Sequence, residues 1–240
     1  MTEAHKAFGR TLALGGVDLV VGAGEVVALV GPNGSGKTTL LHLAAGLERP
    51  DRGMVEVVGE RAGCRLAREA TALVPDVPRG LDELTVREHL QLACALAGVD
   101  EDDADPAPVV GLGLHDLQDR RIGVLSRGQR RRVELAAALR VRPTLLLVDE
   151  ATATLDRAAA TETSRLLRAR AADGGGVLLA THDLRFVESV ADRVHLLRGG
   201  RIVGGGPGRL ARALTGVGRA ADAELRPAAR EEERDAALAR

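Results

Sequence analysis

The chain has 240 residues, 45% of them hydrophobic and 28% charged, with a formal net charge of −1 from 33 basic and 34 acidic side chains. That length suits one large α/β domain with a core of its own, and the composition excludes wholesale disorder. The even charge balance gives no basic field, and Phe8 and Phe186 are the only aromatics, so no nucleic-acid partner is expected.

Met1 to Arg10 lacks the apolar stretch of a secretory signal. No apolar run approaches the ~20 residues that span a bilayer; the best, Leu90 to Val99, reads as a buried helix. Cys64 and Cys94 lie in no metal-ligand spacing and read as ordinary thiols of a reducing compartment, so a cytoplasmic location is expected.

Leu12 to Val21 is strand-like. Glu25 to Val30 is a short apolar, β-branched run that ends at a glycine-rich turn, the pattern of a strand buried on both faces. A helix should start near Lys37 and stop near Gly46, with Pro50 beyond. Met54 to Val58 is again strand-like, and Ala72 to Pro75 is a buried-strand candidate. TVREHLQLACALAGV is a helix with Thr85 as its cap and Glu88 three residues on. Asp100 to Pro108 is acidic and proline-broken, a solvated loop. RRRVELAAALRV is a further helix, followed by buried strands at Thr144 to Val148 and Val177 to Ala180 and a hairpin about Gly199-Gly200. Strands alternating with helices predict a mostly parallel sheet. Leu12 to Val21, Met54 to Val58 and Val194 to Val203 together suggest a small antiparallel element. The tail from about Gly216 is charged and alanine-rich, an exposed helix or disordered.

Gly31-Pro32-Asn33-Gly34-Ser35-Gly36-Lys37-Thr38 satisfies G-x-x-x-x-G-K-[ST] in the required context, after a buried strand and opening a helix. Glycines let backbone N–H groups converge on an anion at the helix N-terminus, Lys37 reaches the outer phosphates, and the Thr38 hydroxyl can ligate Mg²⁺. Average composition would yield the pattern by chance in roughly one per cent of chains this long. Lys6 and Lys37 are the only lysines among the 33 basic residues. A chain that otherwise uses arginine places a slender point charge here, where a planar guanidinium would crowd the loop.

TLLLVDE, Thr144 to Glu150, is an apolar strand that ends in two carboxylates. Strand ends in such sheets face the ligand crevice, so Asp149 can hold Mg²⁺ and Glu150 can polarise an attacking water. Alone, an acidic strand end is usually only a strand end; paired with the phosphate loop it reads as functional. Leu125-Ser126-Arg127-Gly128-Gln129 is a second serine-capped, glycine-bearing helix start.

With these motifs in order, the chain resembles the ATP-binding cassette ATPases of transporters, whose LSGGQ signature is matched by LSRGQ. The resemblance covers about residues 4 to 213. It implies a P-loop NTPase with a RecA-like, mostly parallel sheet core, a small antiparallel β subdomain and a helical subdomain, about 81–141, that carries the signature. The ATPase domain would occupy 1–215 and the tail 216–240.

The resemblance further implies Phe8 stacking on adenine, where an apolar plug is the competing role, and residues Gly31 to Thr39, including Thr39, around the phosphates. It implies Ser126, Gly128 and Gln129 reaching the γ-phosphate held by a second ATP-binding subunit, identical or paralogous. Asp156 falls in the loop that links the two sites, and His182, in THD, is the switch histidine. Lys37, Glu150 and His182 form the catalytic set; Thr38, Asp149 and Asp76 form the metal set.

Three positions depart from the family. Asp76 stands where glutamine is usual, Ala151 replaces a proline, and Arg127 replaces the first signature glycine. The expected activity is ATP hydrolysis that powers a transporter, an exporter by weak resemblance. Its membrane-spanning permease subunit would be a separate chain docked near Pro78 to Glu88, and would hold this subunit peripherally on the inner face of the membrane. The alternative is a soluble mechanochemical cassette, against which stands the absence of sustained heptads in Leu47 to Val124.

Overall fold

The computed structural model describes residues 1–77, 82–150, 152 and 154–212. The chain opens with two strands, β1 (Thr2–Phe8) and β2 (Thr11–Val17), paired antiparallel about a turn at Gly9. Strand β3 (Val26–Val30) follows, then α1 (Lys37–Ala44). The short β4 (Arg52–Met54) pairs with β1, and β5 (Glu56–Val57) pairs with β6 (Glu60–Arg61). After α2 (Arg65–Glu69) and β7 (Thr71–Val74) come three helices, α3 (Val86–Ala97), α4 (Ala107–Gly111) and α5 (Arg127–Arg140). The chain then alternates β8 (Leu145–Asp149), α6 (Arg157–Ala172), β9 (Gly176–Ala180) and α7 (Leu184–Val190), followed by β10 (Arg193–Arg198) and β11 (Arg201–Pro207).

The central sheet has six strands in the order β11-β10-β3-β9-β8-β7, parallel except for β11, and β2-β1-β4 form a separate antiparallel sheet. The apolar runs of β3, β8 and β9 fill the middle of the large sheet because they can be buried on both faces. Val26, Ala28 and Val30 face one core with α3, α5, α6 and α7, whereas Val27 and Leu29 face the other with α1 and β2. This is the two-residue period of a strand sandwiched between layers. Helices α3, α4 and α5 have no separate core; Leu90, Leu112, Val133 and Leu135 join the cluster that covers the sheet.

Local chemistry sets the helix starts. Thr85 and Glu88 form the expected reciprocal cap of α3, and Ser126 and Gln129 form an equivalent one on α5.

Several expectations are corrected. The hairpin about Gly199-Gly200 does not belong to the small antiparallel sheet, because β10 lies parallel to β3 and so makes the hairpin the edge of the central sheet. Its Val194 and Leu196 are buried in the main core, which is what draws it there. The segment Leu90 to Val99 is amphipathic rather than buried, with Leu90 and Cys94 inside and Leu96 79% exposed. Within Asp100 to Pro108 a turn of 3₁₀ helix covers Glu101–Asp103, Ala104 is buried, and α4 begins at Ala107. Strand β1 has no forerunner in the sequence reading, because its residues TEAHKAF are mostly polar and exposed. Ala151, Pro78 to Leu81 and the tail from Gly216 lie outside the described residues.

Candidate functional site

The parallel register brings the C-terminal ends of β3, β8 and β9 to one edge, since Leu29 pairs with Ala180 and Ala180 with Asp149. The turn from Gly31 to Gly36 leaves β3 at this edge. An added Cβ at Gly31 would run into the Leu197 carbonyl and lie 2.8 Å from Ser35 Oγ. Gly36 has φ +105°, and a Cβ there would lie 2.5 Å from the Ala13 carbonyl oxygen. Gly31 is thus required by space, and Gly36 by space as well as by conformation.

Lys37 is 7% exposed, and its ammonium donates to the carbonyl oxygens of Gly31 (2.9 Å) and Pro32 (3.1 Å), curling the loop around itself. Ser35 Oγ is buried with no hydrogen-bond partner. The Thr38 hydroxyl donates to Asp149 Oδ2 at 2.7 Å, a contact between residues 111 positions apart. Asp149 is 3% exposed. Burial pushes its carboxyl above the ordinary range, and Asp76 and Glu150 add to this, while the Thr38 hydrogen bond and Lys37 oppose it.

Glu150 adopts φ +50°, a left-handed conformation that costs a non-glycine residue about 1–2 kcal/mol. Its N–H donates to the Ala180 carbonyl at 2.7 Å, which holds the turn. Its Oε2 accepts from Thr181 Oγ1 (3.2 Å) and lies 3.0 Å from His182 Nδ1. The Glu150 side chain is 14% exposed and that of His182 69%.

The remaining predicted residues are held by local contacts of their own. Phe8 is 49% exposed with Lys6 Nζ 5.3 Å from its ring centroid, so it is not an apolar plug. Ser126 Oγ accepts from the Gln129 N–H (3.2 Å), and Gln129 Oε1 accepts from the Ser126 N–H (2.9 Å), so both side chains are engaged in the cap. Gly128 approaches so closely that a Cβ would lie 2.7 Å from the Thr154 carbonyl oxygen. Asp156 caps α6, its Oδ1 accepting from the Ala159 N–H at 2.8 Å. Asp76 lines one cavity with Arg127, Arg130 and Arg131.

Arg131 is absent from the sequence reading. It is 2% exposed and donates to the carbonyl oxygens of Pro75 and Asp149. The only trace in the sequence is an arginine run, Arg130 to Arg132, where a solvated helix face is the ordinary interpretation.

A divalent cation fits the donor set. Asp149 and Thr38 are hard oxygen donors, the carboxyl is destabilised by burial, and the loop beside it holds an orphaned hydroxyl. Among the described residues there is no cluster of three or more His, Cys, Asp or Glu side chains that could enclose a metal.

Comparison with known proteins bears on the family and the fold. The model of the ABC transporter family matches residues 14–153. The chain is 36% identical to Nod factor export ATP-binding protein I of Rhizobium sp. (strain N33), over 84% of this chain and 68% of that protein. It is 41% identical to hemin import ATP-binding protein HmuV of Streptomyces coelicolor, over 81% and 72% respectively. It spans only 36% of the length of two putative ABC transporter ATP-binding proteins from Streptomyces coelicolor and Streptomyces avermitilis. A solved ATP-binding subunit of an ABC transporter superposes with TM-score 0.82 at 30% identity, covering 89% of this chain and 92% of that one. A dimeric ATP-binding cassette in a post-hydrolysis state, bound to ADP and Pi, shares the fold with TM-score 0.75 at 23% identity, over 86% and 96%.

Proposed function

The chain belongs to the ABC transporter ATP-binding family, and from that premise we propose that it hydrolyses ATP at the β3, β8 and β9 edge to drive a permease carried on a separate chain. The convergence of Lys37, Thr38 and Asp149 supports this most directly. Lys37 exchanges its two carbonyl acceptors for phosphate oxygens, and the backbone N–H groups from Asn33 to Thr39 and the Ser35 hydroxyl complete the cradle. Thr38 and Asp149 would hold Mg²⁺, with Asp76 as a third oxygen donor, and the bound ion would neutralise charge on the phosphates.

Glu150 polarises the attacking water and takes up its proton at Oε2, while His182 orients that carboxylate and faces the γ-phosphate. Phe8, half exposed, stacks on the adenine. Ser126, Gly128 and Gln129 complete the site of a second ATP-binding subunit, and Asp156 links the two sites. In the isolated chain Ser126 and Gln129 cap α5 and Asp156 caps α6, so the reading requires those polar groups to exchange or share partners on dimerisation.

The permease would dock near Pro78 to Glu88, whose described part, Asp82 to Glu88, leads into the first turn of α3. No helix among the described residues is long and apolar enough to cross a membrane. The relatives include both an exporter and an importer component; export is the direction we favour, from the acidic position 76 and the LTVREHL segment. The subunit would then lie on the inner face of the membrane. The test is affinity purification of the full chain from detergent-solubilised membranes, with ATPase assay and identification of the bound protein. A polytopic partner that stimulates turnover is the expected result; an active, soluble protein free of any membrane chain would overturn the coupling.

A further inference from the structure

Position 76 and the buried arginine of α5 are unexplained separately, and the structure places them together. Arg131 lies five residues beyond Ser126, on the helix whose N-terminus carries LSRGQ. Its guanidinium donates to the Pro75 carbonyl at the exit of β7 and to the Asp149 carbonyl at the exit of β8. One planar side chain therefore spans the two strand ends that present Asp76 and the Asp149-Glu150 pair.

Two neutral carbonyls do not compensate a cation that is 2% exposed, and its Nε has no partner. Compensation must come from carboxylates. Asp76 directly follows Pro75, whose carbonyl the guanidinium holds, and lines the same cavity as Arg131, so its carboxylate is placed to offset the charge that burial disfavours. A neutral amide at position 76, usual in the family, would remove that counter-charge.

We infer that Arg131 is a positioning residue that locks the signature helix to the exits of β7 and β8, and that Asp76 is its matched counter-charge, the two forming one ionic unit beside the nucleotide. This rests on the reading of Asp149 and Glu150 as the metal-binding and water-activating groups. Rotation of α5 then moves the backbone of Asp149 through the guanidinium, so the helix that bears the signature and the metal-binding strand end shift together. Asp76 lets that link be charged without leaving an uncompensated cation in the core.

The experiment compares full-length Arg131→Gln, Arg131→Lys, Asp76→Asn and the Arg131→Gln/Asp76→Asn double variant with the parent chain. The measurements are kcat, affinity for a fluorescent ATP analogue, thermal unfolding, and Mn²⁺ affinity by electron paramagnetic resonance with a non-hydrolysable ATP analogue. Arg131→Gln should lower kcat on the order of a hundredfold. It should also tighten Mn²⁺ binding by about threefold or more, because a cation beside three carboxylates is removed. Arg131→Lys keeps the charge but cannot bridge both carbonyls, so it should stay impaired in kcat with Mn²⁺ affinity near that of the parent.

Restoring neutrality in the double variant should recover about tenfold of the lost kcat and return the Mn²⁺ affinity, which makes the two changes strongly non-additive. A purely structural arginine would instead lower the unfolding temperature, leave Mn²⁺ affinity unchanged and show no coupling to Asp76; that result overturns the inference. Asp76→Asn leaves the tether in place and keeps the test decisive if Arg131→Gln does not fold. A parallel Glu150→Gln variant separates the premises: if it retains turnover, the functional reading fails, and if it alone is inactive, only the role of Arg131 fails.

Discussion

Replacing Glu150 by glutamine removes one negative charge and almost no volume, and the structure allows its effect to be divided between chemistry and stability. The carboxylate touches two groups, Thr181 Oγ1 at 3.2 Å and His182 Nδ1 at 3.0 Å. A glutamine amide oxygen still accepts from Thr181, and the backbone stays at φ +50° because neither side chain relieves it. The same oxygen faces His182 Nδ1, so what is lost there is the negative charge, and that imidazole is 69% exposed; the exchange costs little stability. The unfolding temperature should stay within about 2 °C of the parent, as expected for a change below about 1 kcal/mol in a domain of this size.

Turnover is affected differently, because an amide cannot accept the proton of the attacking water. Loss of a general base costs on the order of 10²–10⁴ in rate, or about 3–5 kcal/mol of barrier. Nucleotide binding uses Lys37, Thr38 and the loop, none of which Glu150 contacts, so affinity for ATP should be unchanged. Single-turnover hydrolysis of labelled ATP, equilibrium binding of a fluorescent analogue and gel filtration with ATP measure the three quantities. The expected outcome is intact binding, arrested hydrolysis and an ATP-stabilised dimer. Undiminished hydrolysis would refute the role of Glu150, and loss of ATP binding would refute the separation of binding from chemistry.

Phe8→Ala should weaken ATP affinity by roughly 1–3 kcal/mol, the worth of one base–aromatic stack, with little change in unfolding temperature because the ring is 49% exposed; calorimetric affinities equal within twofold would exclude stacking. Thr38→Val leaves the buried Asp149 carboxylate without its side-chain partner, a loss of about 1–3 kcal/mol, and should lower the unfolding temperature of the nucleotide-free protein by roughly 2–12 °C. An unaltered melting curve would mean the hydroxyl contributes nothing there. The Glu134 carboxyl is raised above its ordinary value of 4.5 by burial, against the opposing pull of His89 and Arg131. A raised carboxyl contributes stability that is present below its ordinary pKa and lost as pH rises through the folded-state value. Glu134→Gln should therefore gain stability relative to the parent as pH rises above about 4.5, read as a difference in unfolding temperature that grows between acidic and neutral buffer; a constant difference contradicts the assignment.

The features legible in the sequence are those fixed by neighbours along the chain. The glycines of the phosphate loop are required by local sterics and helix geometry, and β3, β8 and β9 are short apolar runs of strand length. The caps at Thr85 and Ser126 are hydrogen bonds closed within three residues. Tertiary structure decided what depends on strand order. Thr38 meets Asp149 only because parallel strands bring the exits of β3 and β8 to the same edge of the sheet, with β9 between them. The Gly199-Gly200 hairpin joins the central sheet because β10 can bury Val194 and Leu196 beside β3, which a two-residue turn signal does not encode. Whether Phe8 plugs a core or presents a face depends on what packs over β1. Arg131 reads in sequence as one of three arginines on a solvated helix face; only the packing of α5 over β7 and β8 removes it from water and aims it at two backbone carbonyls. Local sterics and periodicity are properties of adjacent residues, whereas burial, charge compensation and metal geometry are properties of groups the fold brings together from separate stretches of the chain.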